Sequence, residues 1–173
     1  MKVSIKDLAV FSMLGALMYI SKFLMEFLPN IHLIGVFTIA ITVVYRLKAL
    51  YPIYIFVLIT GLLNGFATWW IPYLYIWTVL WAVTMLIPDK KLNKKIRPVI
   101  YMVICALHGL LYGTLYAPAQ ALLFGLDFKG MIAWIIAGFS YDVVHAVGNF
   151  FGGILICPII SVLKSAQRYA KPN

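Results

Sequence analysis

Apolar residues run along this chain in six blocks, at about 7–27, 32–45, 50–68, 72–87, 98–122 and 131–163. Short breaks marked by proline, glycine or charge separate them, as in "FLPNIH", "ATWWIPY", "DKKLNKKIR" and "FGLDFKG". Each block is apolar on almost every face, the pattern of a helix surrounded by lipid rather than of one lying on a soluble core. A perpendicular span needs about 20 residues. The second and fourth blocks are short for that, and the sixth is long enough to tilt or protrude. The pattern predicts an all-α integral membrane protein, a compact bundle of six transmembrane helices forming one domain over residues 1–173. The opening "MKVSIKDLAV" superficially resembles a signal peptide. Its apolar run is too long and lacks a small-residue cleavage site, so it is read as a retained first helix.

Composition agrees: 64% of the 173 residues are hydrophobic and 11% charged, against about a quarter charged in soluble domains. The net charge of +9 is not a nucleic-acid signal, because the cations sit beside the spans. Twelve of the 14 basic residues fall on one side of the predicted bundle: Lys2, Lys6, Arg46, Lys48, the five in "DKKLNKKIR", Lys164, Arg168 and Lys171. The opposite side holds Lys129, and Lys22 lies within the first helix. Positive loops stay in the cytoplasm, so both termini are expected inside a multi-pass cell-membrane protein. Trp69, Trp70 and Tyr73 then fall at the outer interface, where amphipathic rings anchor. Cys105 and Cys157 lie in apolar runs and are read as small core residues. The chain contains no G-x4-G-K-[ST], H-E-x-x-H or G-x-S-x-G motif, so neither nucleotide hydrolysis nor enzyme activity of its own is expected. His32, His108 and His145 show no metal-ligand spacing, and no metal or cofactor is expected.

Against this oily background, "SYDVVHAVGNF" (140–150) stands out. Asp142, His145 and Asn149 occupy i, i+3 and i+7, within about 60° of one helical face. Asp142 lies about 16 Å from the outer end of the sixth helix at 1.5 Å per residue, too deep for its charge to reach water. Intramembrane ionisable residues are costly and mark function by default. The stripe must therefore face the bundle interior or a wet cavity. Facing candidates are His108, Tyr112 and Tyr116 on helix five, Asn64 on helix three, and Tyr73, Tyr75, Trp77 and Trp81 on helix four, with Trp70 nearby and Gln120 above. Pro118 is expected to interrupt helix five near Tyr116. Lys22 and Glu26, at i and i+4, are expected to form a local ion pair. An aromatic wall with one carboxylate suits a planar, neutral or cationic heterocycle.

Small residues mark close packing in lipid. Helix five carries Gly109, Gly113, Ala117 and Ala121, helix six Gly148-x3-Gly152, and helix three Gly61-x3-Gly65. Helix one carries Ser12-x3-Ala16 with Gly15 beside it, suited to internal packing or to docking on another membrane protein.

Size, six helices, the inside termini, the basic loop "DKKLNKKIR" and Ser12-x3-Ala16 together resemble the S component of an energy-coupling factor (ECF) transporter. Such a subunit binds the substrate in bacterial vitamin uptake. The small-residue pattern is similar to the family's Ala-x3-Ala docking motif, with serine at the first position. The resemblance implies capture of a vitamin from outside by helices four to six and the outer loops. It also implies docking through Ser12, Gly15 and Ala16 on a transmembrane coupling protein with two ATPases, which alone would use ATP. The first outer loop, "LPNIH", is very short for a gate. Within this resemblance a vitamin B6-like ligand fits best, its pyridine nitrogen paired with Asp142 and its hydroxyls with His108, His145, Asn64 and Asn149. Thiamine or its pyrimidine precursor is the alternative ligand. A membrane scaffold or assembly protein, or a proton-coupled carrier, is the alternative of another class.

Overall fold

The computed structural model describes residues 3–169, apart from the side chains of Lys90 and Tyr169. The expectations for Lys2, Lys171 and the extreme termini lie outside these residues. Eight helical segments follow one another: α1 (Ile5–Leu24), α2 (Ile34–Tyr45), α3 (Leu50–Asn64), α4 (Tyr73–Met85), α5 (Arg97–Leu110), α6 (Tyr112–Phe124), α7 (Phe128–Gly152) and α8 (Ile156–Tyr169). No strand occurs among the described residues. A 3-10 turn at Arg46–Ala49 joins α2 to α3, another at Gly153–Leu155 joins α7 to α8, and a single residue, Leu111, separates α5 from α6. The segments therefore form five helical runs, not six separate helices. Four runs are long and apolar enough to cross a membrane: Ile5–Leu24, Ile34–Asn64, Arg97–Phe124 and Phe128–Arg168. The fifth, α4, has only 13 residues.

Local chemistry sets the boundaries that differ from the apolar blocks. α1 begins on a capping box, Ser4 Oγ accepting from Asp7 N and the Asp7 carboxylate accepting from Ser4 N, which satisfies two orphan donors of the first turn. It ends at Leu24 rather than 27. α3 stops at Asn64, not 68, because Gly65 takes φ +89°, a conformation most L-residues avoid. Asp127 caps α7 by accepting from Gly130 N at 2.7 Å, so the helix starts at Phe128 and Lys129 lies in its first turn rather than in a loop. The expected interruption near Tyr116 is also displaced. Pro118 sits inside α6, and the break falls at Leu111 (φ −93°, ψ 3°).

Cross-helix contacts fix the sense of each segment. α1 and α3 run in the same direction: Lys48 pairs with Asp7 at 2.8 Å, Phe11 stacks on Tyr51, and Gly15 lies against Pro52 and Ile55. α4 runs opposite to α3, with Tyr54 donating to Leu74 O and Trp70 to Val57 O. α5 and α6 oppose α4 through His108 on Ile76 O and Tyr75 on Leu115 O. The chain reverses between α2 and α3 at Arg46, a non-glycine residue with φ +54°. α2 is the centre of the bundle, buried without a gap from Ile34 to Val43. One apolar cluster lies on each side of it, around Met18, Phe56 and Trp77 and around Tyr101, Cys105 and Ile156. At 12 and 13 residues α2 and α4 extend about 18–20 Å, less than the ~30 Å hydrocarbon layer.

At the end of the bundle where α4 gives way to α5, Asp89 gathers three partners. Tyr101 Oη donates to Oδ1 at 2.6 Å, Arg97 Nε lies 3.3 Å from Oδ1, and Lys164 Nζ 3.5 Å from Oδ2. Burial pushes the carboxyl up, but the Tyr101 hydrogen bond and the charges of Lys164 and Arg97 outweigh it and hold it below the ordinary value. A depressed carboxylate stabilises the fold above its unfolded value, and that contribution fades as pH falls through the folded one. Asp89→Asn should therefore cost ~1–3 kcal/mol at pH 7, and the gap to the parent should close on acidification. Thermal unfolding in detergent across that range measures it.

Candidate functional site

The polar stripe of α7 packs on the glycine ladder of α5 and α6. Asp142, His145 and Asn149 are 6%, 3% and 1% exposed. At one end of the stripe Asp142 Oδ1 accepts from Gly113 N at 2.9 Å. Gly113 is the second residue of α6, just past the break at Leu111, where a helix has backbone donors without intrahelical partners. A carboxylate is well placed there, on the positive end of the helix dipole. A Cβ at Gly113 would run into that carboxylate. At the other end Asn149 Nδ2 donates to Cys105 O at 3.1 Å. A Cβ at Gly109 would lie 3.0 Å from backbone atoms of His145 and Ala146. The intramembrane aspartate thus joins two helices across a helix break.

Between these two attachments, His145 turns toward a ring cluster. Its imidazole lies edge-on to His32 (4.7 Å between centroids) and to Tyr112 (5.0 Å). Trp77, 1% exposed, contacts His32, Tyr73, His108 and Tyr112 at 5.6–6.0 Å. His108 Nε2 lies 3.2 Å from Ile76 O. A carbonyl only accepts, so Nε2 carries the proton and Nδ1 is left as an acceptor. Five buried polar atoms of this region have no protein partner: His32 Nδ1, Trp77 Nε1, His108 Nδ1, His145 Nε2 and Asn149 Oδ1. Buried polar atoms are rarely left without a partner, which draws attention to His32 and His145.

A cavity of about 200 Å³ opens here, lined by His32, Tyr73, Tyr112 and His145, with Lys22 and Glu26 also on its wall. Most of the 25–32 connection lines it as well. That connection is a chain of tight turns, Leu28 N on Met25 O and Ile31 N on Leu28 O, with Asn30 in the left-handed region at φ +57°. Its far end is seated on α7: Ile31 lies against Gly148 and Leu33 against Gly152. The Gly148-x3-Gly152 pattern therefore receives the α1–α2 connection and the start of α2. Short as it is, the first loop lines the pocket.

Of the residues expected at the site, His145, Tyr112 and Tyr73 line the cavity, and Trp77 and His108 stand beside them in the ring cluster. Others are used elsewhere. Asp142 and Asn149 are the structural attachments just described and do not line it, and neither does Gln120. Tyr116 donates to Trp69 O and stacks on Trp134. Trp70 lies over Gly61, bonded to Val57 O. Asn64 accepts from Tyr19 Oη at 3.1 Å, on the α1–α3 side. Tyr75 and Trp81 donate to the carbonyls of Leu115 and Arg46. Lys22 and Glu26 do not pair: α1 ends at Leu24, so the i, i+4 geometry is lost between them. His32 lines the pocket although sequence reasoning does not place it there, and so do Met25, Leu28, Pro29, Asn30 and Ile31. Nothing in its spacing says that the turn before it folds inward. Among the described residues no group of three His, Cys, Asp or Glu side chains is placed to hold a metal ion. On α1, Gly15 is buried against α3, whereas Ser12 is exposed and Ala16 half-exposed. Gly15 is thus internal packing, not a docking residue. No known family model, curated protein or solved structure matches the chain.

The seam between α5 and α7 sets a clear expectation for substitution. Gly109→Ala would press a methyl on the α7 backbone, an overpacking cost of ~1–3 kcal/mol, against a helix-propensity gain of ~0.5–1 kcal/mol. Gly138, also in α7, has nothing within 4 Å of an added Cβ, so Gly138→Ala should be neutral or stabilising. Detergent thermal shifts should show Gly109→Ala melting below the parent and Gly138→Ala at or above it.

Proposed function

We propose that this chain is the substrate-binding S component of an ECF-type uptake transporter, taking a single-ring aromatic vitamin, best a vitamin B6 form, from outside the cell. The observation that carries the reading is the cavity walled by His32, Tyr73, Tyr112 and His145. Its volume of about 200 Å³ is below the ~300–1,000 Å³ usual for drug-sized ligands. That favours one ring with small substituents over two-ring thiamine or larger vitamins. Faces of Tyr and Trp suit a flat heterocycle. The unpartnered atoms His32 Nδ1 and His145 Nε2 suit its ring nitrogen and hydroxyl groups. Asp142 is not assigned to the ring nitrogen, because it does not line the cavity.

In this reading the chain crosses the cell membrane six times with both termini in the cytoplasm. The bend at Arg46 divides the run Ile34–Asn64 into two opposed passes. Arg46, Lys91, Arg97 and Lys164 then fall at the cytoplasmic end, with the ring cavity toward the other. The subunit is not an enzyme. ATP is used by two ATPases that act with a coupling membrane protein, which meets the outward face of α1 carrying Ser12 and Ala16.

Titration calorimetry of the purified chain with pyridoxine should show one site. His145→Ala should weaken it about tenfold or more, the equivalent of one lost hydrogen bond of ~1.4 kcal/mol. Absence of heat with pyridoxine would exclude the B6 assignment, and an unchanged affinity in the variant would exclude this cavity as the site. Docking is tested separately. Ser12→Trp or Ala16→Trp should abolish uptake in cells while leaving pyridoxine affinity intact. If binding is lost as well, that face is internal packing.

A further inference from the structure

A second polar hollow lies at the opposite end of the bundle, well away from the ring cavity. It is a groove of about 520 Å³ whose floor is Val43, Val44, Ile87 and Pro88. Its charged wall is Arg46, Lys91 and Lys164, with Asp89 as the single carboxylate. Asp89 is shared with Tyr101, Arg97 and Lys164, and one carboxylate against Arg46, Lys91 and Lys164 leaves the groove an excess of positive charge.

Arg46 is held in place unusually firmly. It takes φ +54°, a backbone region that favours glycine. Its Nη2 donates to Met85 O at 2.7 Å, and its own carbonyl accepts from Trp81 Nε1 at 3.1 Å. Glycine or asparagine would make the same chain reversal with less strain. The arginine side chain holds Met85 O at the end of α4 and at the same time lines the groove.

We propose that this groove binds the headgroup of an anionic phospholipid, with Arg46, Lys91 and Lys164 around the phosphate and the apolar floor under the upper acyl chain. Basic pockets between membrane helices recognise acidic headgroups in this way. A guanidinium presents a planar fork to phosphate oxygens, and two lysines supply charge around it. The lining is part apolar and part cationic, which matches a lipid better than a free soluble anion. The proposal requires only that the chain sits in a bilayer. It is independent of vitamin transport.

Native mass spectrometry of the full chain, released from nanodiscs of equal phosphatidylglycerol and phosphatidylcholine, tests it. One phosphatidylglycerol should be retained with about a tenfold or greater preference. The preference should fall toward parity in Arg46→Gln/Lys91→Gln/Lys164→Gln. It should also fall in Lys91→Gln/Lys164→Gln, which keeps the Arg46–Met85 bond. It should persist in Lys94→Gln/Lys95→Gln, which removes as much charge as the double variant but from outside the groove. Helicity by circular dichroism confirms that each variant is folded. Equal retention of the two lipids, or loss of preference in Lys94→Gln/Lys95→Gln as well, would overturn the proposal in favour of diffuse charge attraction. Protection by glycerol 1-phosphate as strong as by the lipid would overturn it in favour of a soluble phosphate site. Pyridoxine affinity should be unchanged in these variants whichever way the lipid result falls.

Discussion

The organisation of this protein depends on the contact between the Asp142 carboxylate and the Gly113 N–H. Water is absent from the hydrocarbon layer, so a helix break there leaves backbone groups that only protein can satisfy. Leu111 makes such a break between α5 and α6. Asp142 supplies an acceptor where α6 offers donors, and the helix dipole offsets part of the cost of the buried charge. Gly109 and Gly113 admit α7 close enough for the bond to form. The same seam aims His145, one turn further along α7, at Tyr112 and His32. Remove the break or the glycines, and His145 has no reason to point into a cavity.

A second consequence follows from the shortness of α2 and α4. Neither alone is long enough for the ~30 Å layer. The 25–33 connection before α2 folds by tight turns and settles on Gly148 and Gly152. It thereby brings His32 beside Tyr73, Tyr112 and His145 at a half-open cavity of about 200 Å³. Small residues that look like a helix–helix code serve here to seat a loop. The cavity results from a bundle whose inner helices stop short.

How much of this is legible in the sequence differs from feature to feature. The all-helical membrane character is plain, because near-continuous apolarity over this length suits lipid and little else. Helix breaks are harder. Pro118 carries a familiar signal yet stays inside α6, while the break falls at Leu111, which has no sequence mark, beside a Gly113 N–H that finds an outside acceptor. The stripe Asp142, His145 and Asn149 is identifiable from helical spacing, and all three are buried. Their division of labour is not, since spacing places residues on a face without saying which of them meets backbone and which meets open space. Trp70 and Asn64 suit the pocket by residue type, but each is occupied locally, with Val57 O and Tyr19. The place of His32 is hidden because the path of a loop depends on tertiary contacts, here Ile31 on Gly148.

The central claim is that the space among His32, Tyr73, Tyr112 and His145 holds one small aromatic vitamin. Native mass spectrometry of the chain as purified from cells, with no ligand added, addresses it most directly. A single bound molecule with the mass of a B6 vitamer, displaced by isotopically labelled pyridoxine, is the expected result. A chain that carries no small molecule and gains none in excess pyridoxine would contradict the claim, as would one that carries a two-ring vitamin.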